Sequence, residues 1–278
     1  MNDAPIGIFD SGLGGLTVAR AIIDYLPGED IVYLGDTANT PYGPKPIAQI
    51  RDLTIAGLDT LVERGCKVLV IACNTGTAAA LADARERYSV QMGIPVVEVI
   101  TPAAREAALT TRNGRIGVIG TEATVASQSY PSALVAVPGV EVFQQACPEF
   151  VDFVERGVTT GPELEIITRE YLSGLKAENV DTVILGCTHY PLLQGALARE
   201  LGEGVNLVTS SEATAREVYL LLVEADLLHS SRPSGTSNYR FLMTAPSDRF
   251  TLLARRFLGP EVGELELVVR SETSEDRI

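Results

Sequence analysis

The sequence predicts an α/β protein built from two similar parallel-sheet α/β domains related by pseudo-symmetry, with the active site in the cleft between them. Three observations predict it. Short apolar, β-branched runs alternate with helical stretches, the pattern of parallel sheets covered by helices. The alternation then restarts: Ile6-Gly7-Ile8-Phe9-Asp10-Ser11 is matched by Ile116-Gly117-Val118-Ile119-Gly120-Thr121, 110 positions on. Finally, two of the runs end in a cysteine followed by polar groups. They are Val68-Leu69-Val70-Ile71-Ala72-Cys73-Asn74-Thr75 and Val183-Ile184-Leu185-Gly186-Cys187-Thr188-His189, whose cysteines are 114 positions apart. Similar offsets at two places point to a duplicated unit.

The elements follow in order. Ile6–Phe9 reads as a buried strand, and Asp10–Gly15 as a tight turn into a helix on which Leu16, Ala19, Ile22, Ile23 and Leu26 share one face. A strand at Ile31–Leu34 leads to the loop Gly35–Gly43. Pro46 opens a long helix carrying Ile47, Ile50, Leu58, Leu61 and Val62, which Gly65 closes. Lys67–Ala72 is the strand that delivers Cys73. The Ala-rich stretch 77–88 reads as a helix and Val96–Val99 as a strand.

The second half repeats the scheme. Thr101–Thr111 is helical, Arg115–Ile119 a strand, and a helix follows from about Ala123. Val140–Gln144 is a strand; Phe150–Arg156 and Glu163–Ala177 are helices; Asp181–Gly186 is the strand that delivers Cys187. A helix from Pro191, a strand Val205–Val208 and a helix from about Ser211 complete it. Arg232–Ser237 reads as a polar loop, a last strand–helix–strand runs from about Tyr239 to Val269, and 271–278 reads as a polar tail. The expected domains are 1–97 with 210–278, and 98–209.

Composition narrows the function. The chain has 278 residues, 46% apolar and 21% charged, enough for a sizeable core. Its net charge of −14 argues against a nucleic-acid or membrane-surface role, both of which want a basic face. The N-terminus shows neither a basic region nor a long apolar segment, so a cytoplasmic location is expected. The four cysteines, Cys66, Cys73, Cys147 and Cys187, show no CxxC pairing and are expected to be reduced.

A lone cysteine after an apolar strand behaves as a small hydrophobe. Two equivalents, each followed by hydroxyl or amide groups that packing does not require, favour a functional reading of Cys73 and Cys187. Cys66 and Cys147 lack that context. Both Cys73 and Cys187 precede predicted helices, whose N-termini would lower a thiol pKa. Three uses are open. A metal site could draw on Cys73, Cys187, His189 and Cys147, although the pairwise spacing of zinc sites is missing. A cysteine hydrolase would join Cys187 to His189, but residues two apart seldom reach that geometry, and Cys73 stays unexplained. Opposed acid–base groups use both cysteines and explain the duplication, because inverting a stereocentre needs a base on one face and an acid on the other.

Asp10, at a strand end, is by default a turn or cap residue, and could also orient a thiol. His189 is a candidate proton shuttle; His229, in a polar stretch, reads as solvated. Gly12, Gly14 and Gly15 do not form a dinucleotide fingerprint, because Thr17 stands at the third glycine position. Their backbone N–H groups would instead approach a carboxylate. Tyr42-Gly43 is a turn that could also serve as a substrate loop.

Together these stretches resemble the glutamate racemases of the cofactor-independent aspartate/glutamate racemase superfamily. The matching residues are Phe9-Asp10-Ser11-Gly12-Leu13-Gly14-Gly15, Gly35-Asp36-Thr37 with Pro41-Tyr42-Gly43, Ala72-Cys73-Asn74-Thr75, and Gly186-Cys187-Thr188-His189-Tyr190-Pro191. The resemblance implies interconversion of L- and D-glutamate without pyridoxal phosphate or metal, supplying D-glutamate for peptidoglycan. It implies that Cys73 takes the proton from D-glutamate and Cys187 from L-glutamate, assisted by Asp10, Glu155 and His189. Substrate contacts would fall on Asp10, Ser11, Tyr42, Gly43, Asn74, Thr75, Thr188 and His189. As partners it implies glutamate, a homodimer and, in some members, DNA gyrase. An aspartate racemase or a cleft-binding protein without turnover are the alternatives. Two departures from the pattern, Gly76-Thr77-Ala78 and Thr209-Ser210, are expected to lie clear of the chemistry.

Overall fold

The computed structural model describes residues 2–230, 237–246, 250–258 and 265–268. Residues 232–236 of the expected polar loop, and the tail 271–278, lie outside them. The first half contains β1 (Ile6–Asp10), α1 (Leu16–Tyr25), β2 (Ile31–Gly35), α2 (Ile47–Glu63), β3 (Val68–Ile71), α3 (Asn74–Ala84) and β4 (Val96–Glu98). The second contains α4 (Ile100–Thr110), β5 (Arg115–Gly120), α5 (Glu122–Ala126), α6 (Ser129–Leu134), β6 (Glu141–Ala146), α7 (Glu149–Glu155), α8 (Pro162–Ala177), β7 (Thr182–Gly186), α9 (Gln194–Leu201) and β8 (Asn206–Thr209). After these come α10 (Ser210–Glu224), β9 (Tyr239–Met243), α11 (Phe250–Leu258) and β10 (Leu265–Leu267).

Two parallel sheets result. One has six strands in the order β10-β9-β2-β1-β3-β4; the other has four in the order β6-β5-β7-β8. Set β5 on β1, and the four-stranded order reproduces the β2-β1-β3-β4 block of the first sheet. Register agrees: Ile6 lies beside Ile31 and Val68, and Ile116 beside Val142 and Thr182. The repeat seen in sequence is thus a repeat of topology, with β3 and β7, the cysteine strands, in equivalent places. Strands β9 and β10 extend the first sheet beyond β2. The central strands β1, β3 and β7 are buried along their whole length, which is why they read as unbroken apolar runs.

Three local differences from the sequence reading bear on the site. Helix α3 begins at Asn74, three residues before the Ala-rich run, because the Cys73 side chain supplies its cap. It ends in a π-helical turn, Arg85–Val90. The helix expected from Pro191 is a 3₁₀ turn, Tyr190–Leu193, before α9. Cys187 therefore lacks the α-helical N-terminus that Cys73 has. Among the described residues no helix is long and apolar enough to cross a membrane.

A buried ion pair closes the bottom of the first sheet. Lys67 Nζ lies 2.6 Å from Glu29 Oε2 with both side chains removed from solvent, and it donates to the Asn2 carbonyl. The His229 backbone N–H donates to the other Glu29 oxygen, and the His229 side chain is only 4% exposed, so it is packed rather than solvated as its neighbours suggested. Removing one partner of such a pair strands a buried charge. Lys67→Met should cost about 3–5 kcal/mol in urea unfolding, and adding Glu29→Gln should recover most of that loss.

Candidate active site

The strand ends β1, β3 and β7 converge on a cavity of about 230 Å³. This is the carboxyl edge of a parallel sheet, where open α/β folds place ligands. From the first half, Ser11, Tyr42, Gly43, Cys73, Asn74 and Thr75 line it; from the second, Cys187, Thr188 and His189. Both candidate thiols thus face one space, delivered by equivalent strands. Asp10 and Glu155 do not line the cavity. Asp10 lies fully buried beneath it, and Glu155 stands behind His189, its Oε1 3.4 Å from His189 Nε2.

The two thiols sit in different surroundings. Cys73 Sγ accepts the Gly76 N–H at 3.3 Å as the N-cap of α3, and donates to Ser11 Oγ at 3.3 Å. Burial pushes this thiol up to about 12, and the neighbouring Asp10 adds to the rise, against the smaller lowering by Ser11 and Gly76. A thiolate formed there is a strong base. Cys187 Sγ lies 3.8 Å from His189 Nδ1. Spacing alone argued against that contact; the turn after β7 folds the imidazole back onto the sulfur. Burial alone would lower the His189 pKa, but Cys187 and Glu155 on its two ring nitrogens outweigh it and raise it to about 10. Phe257 from α11 packs edge-to-face with the imidazole, 5.9 Å between centroids.

This raised pKa has a stability consequence. The folded value lies above the ordinary 6.5, so the proton on His189 stabilises the fold fully below about pH 6.5 and loses that contribution as pH rises through about 10. The stability difference between wild type and His189→Asn in urea unfolding should therefore narrow from pH 6.5 to pH 10.

The glycine turn serves the protein's own carboxylate. The Gly12 N–H donates to Asp10 Oδ2 at 2.9 Å, and desolvation still leaves the Asp10 pKa raised. Gly14 allows a close approach of the second half: a Cβ there would come within 2.3 Å of Thr188 Oγ1 and 2.5 Å of His189 Nδ1. The departure at Gly76 also lies nearer the chemistry than its sequence position suggested, since its amide holds Cys73. Thr77 is buried and donates to the Ile71 carbonyl, whereas Thr209 does not line the cavity.

Two residues at the site were given no role in the sequence reading. Thr121 lines the cavity, caps α5 and lies 2.9 Å from Thr75 Oγ1 across the two halves. Asp36 accepts from Tyr42 Oη at 2.6 Å and from Thr244 Oγ1 at 2.7 Å, fixing the loop that carries Tyr42-Gly43. Its place in the Gly35-Asp36-Thr37 match was the only signal for it. Cys147 is buried but does not line the cavity, and among the described residues no three Cys, His, Asp or Glu side chains are grouped to hold a metal ion.

Comparison with known proteins identifies the family. The Asp/Glu/hydantoin racemase family model matches residues 7–218. A glutamate racemase of Beutenbergia cavernae is 56% identical over 272 residues, covering 95% of this chain and 93% of its own. One from Corynebacterium glutamicum is 55% identical over 263 residues, covering 95% of each. The crystal structure of the Francisella tularensis glutamate racemase in complex with D-glutamate superposes with a TM-score of 0.89 at 35% identity, covering 97% of this chain and 98% of that one. By likeness along nearly its whole length, the chain belongs to the Asp/Glu/hydantoin racemase family, among its glutamate racemases.

Proposed function

We propose that this protein interconverts L- and D-glutamate by moving the α-proton between two thiols, and so supplies D-glutamate for peptidoglycan. The observation that carries the mechanism is the pair Cys73 and Cys187, on equivalent strands of the two sheets and facing one cavity. One sulfur, as thiolate, takes the α-proton from its face of the substrate. The electron pair left on the α-carbon then takes the proton of the other thiol from the opposite face. Following the family pattern, Cys73 abstracts from D-glutamate and Cys187 from L-glutamate; each ends the turnover in the other's starting state.

The helpers differ. Asp10, buried beneath Cys73, raises the basicity of that sulfur. His189, held by Glu155, steadies negative charge on Cys187. Ser11, Tyr42, Gly43, Asn74, Thr75 and Thr188 offer hydroxyl, amide and backbone groups to the two substrate carboxylates and the amino group. We assign the lobes to 1–97 with 210–278 and to 98–209, bounds that fall one residue short of the end of β4 in the first sheet, and infer a homodimer from the family pattern. The test is turnover in deuterated water. Each enantiomer of glutamate should gain deuterium at the α-carbon as it inverts, and aspartate should react far more slowly. Binding of glutamate without α-exchange would refute the racemase reading.

A further inference from the structure

We infer that Tyr130 is a positioning residue of the site: its hydroxyl fixes the Asn74 side-chain amide so that the amide N–H group, and not the oxygen, is left to meet the substrate. The inference rests on the racemase reading given above. Tyr130 belongs to α6 of the second half, is completely buried, and donates to Asn74 Oδ1 at 2.7 Å. Asn74 opens α3 in the first half, is 2% exposed and lines the cavity. Its Nδ2 finds no acceptor among the described residues.

A primary amide offers an acceptor at one end and two donors at the other, and the neighbour at one end decides which is left over. Burial holds the Tyr130 phenol well above its ordinary pKa, so its hydroxyl keeps the proton that it directs at Asn74 Oδ1. The amide oxygen is then occupied, and the nitrogen is left as a buried donor without a partner, an arrangement that is costly unless a ligand answers it. The substrate has two carboxylates, both acceptors only. Had the amide turned over, its oxygen would repel them. Tyr130 therefore prepares from across the two halves a donor that its own half does not contain.

Four forms of the full chain are compared: wild type, Tyr130→Phe, Asn74→Ala and the double variant. Turnover is followed by circular dichroism in both directions and D-glutamate affinity by calorimetry. Tyr130→Phe should raise KM and Kd about fivefold, the effect of one hydrogen bond, with kcat changed much less. In the Asn74→Ala background the same change should have no further effect, because the two act through one amide. Asn74→Asp, which keeps an acceptor for Tyr130 but deletes the donor, should weaken binding at least as much as Asn74→Ala. Equal affinity in wild type and Tyr130→Phe, an undiminished Tyr130→Phe effect without Asn74, or wild-type affinity in Asn74→Asp would each overturn the inference. Intact glutamate binding with no turnover in the wild type would overturn the racemase reading alone.

Discussion

Cys73→Ala and Cys187→Ala should each abolish racemisation in both directions while leaving the fold intact. Either direction needs one sulfur to take the proton and the other to return it, so losing one breaks both. The expected loss in kcat is about 10²–10⁴-fold, the usual contribution of a positioned acid or base. Neither change should unfold the protein: each thiol lies at a strand end against the cavity, and the cap that Cys73 gives α3 is worth about 0.5–2 kcal/mol. A finer outcome separates the two variants. Cys187→Ala retains the group facing D-glutamate and should still wash the α-proton of that enantiomer into solvent slowly, without inversion. Cys73→Ala should do the same for L-glutamate. Wild-type racemisation in either variant would remove the two-thiol mechanism, and dependence on Cys187 alone would favour a hydrolase-like use of the Cys187–His189 pair.

Gly14→Ala should be the next most damaging change, although Gly14 bears no reactive group. A Cβ at that position would overlap Thr188 Oγ1 and the His189 ring, at 2.3 and 2.5 Å. These atoms cannot simply swing aside. Thr188 is further held through its carbonyl by Thr17 Oγ1 at 3.1 Å, and His189 is enclosed by Cys187, Glu155 and Phe257. The two halves must therefore part by a fraction of an ångström to about one ångström. A misplacement of that size costs about 100-fold in rate, and overpacking adds about 1–3 kcal/mol of instability. The measurement is kcat beside urea unfolding. A fully active Gly14→Ala variant would show that the approach of the two halves here is not needed for turnover.

Much of this architecture was legible in the sequence because it is local. The strands are apolar runs buried on both faces, and the restart at Ile116 reports the duplication directly. Both cysteines and His189 were legible for the same reason, as polar interruptions at the ends of apolar strands. What could not be read arises between segments far apart in the chain. Nothing around Tyr130 announces that it meets Asn74, and nothing at Gly14 announces Thr188. The contact of Cys187 with His189 was missed for a different reason. His189 sits as the N-cap of a 3₁₀ turn at Tyr190–Leu193, where a helix was expected from Pro191. The early start of α3 was hidden because the capping atom is a sulfur, not one of the oxygens that usually mark a helix start.

The unequal settings of the two sulfurs carry a thermodynamic constraint. One is held by a helix amide above a buried carboxylate, the other by an imidazole, yet the molecules they handle are mirror images of identical free energy. The Haldane relation then requires the same kcat/KM in both directions, however unlike the catalytic groups. The asymmetry can surface only as an exchange between saturation and speed: the enantiomer that binds more tightly must turn over more slowly, in proportion. A mutation on one side can lower the common efficiency or redistribute it between kcat and KM, but it can never turn this protein into a one-way converter.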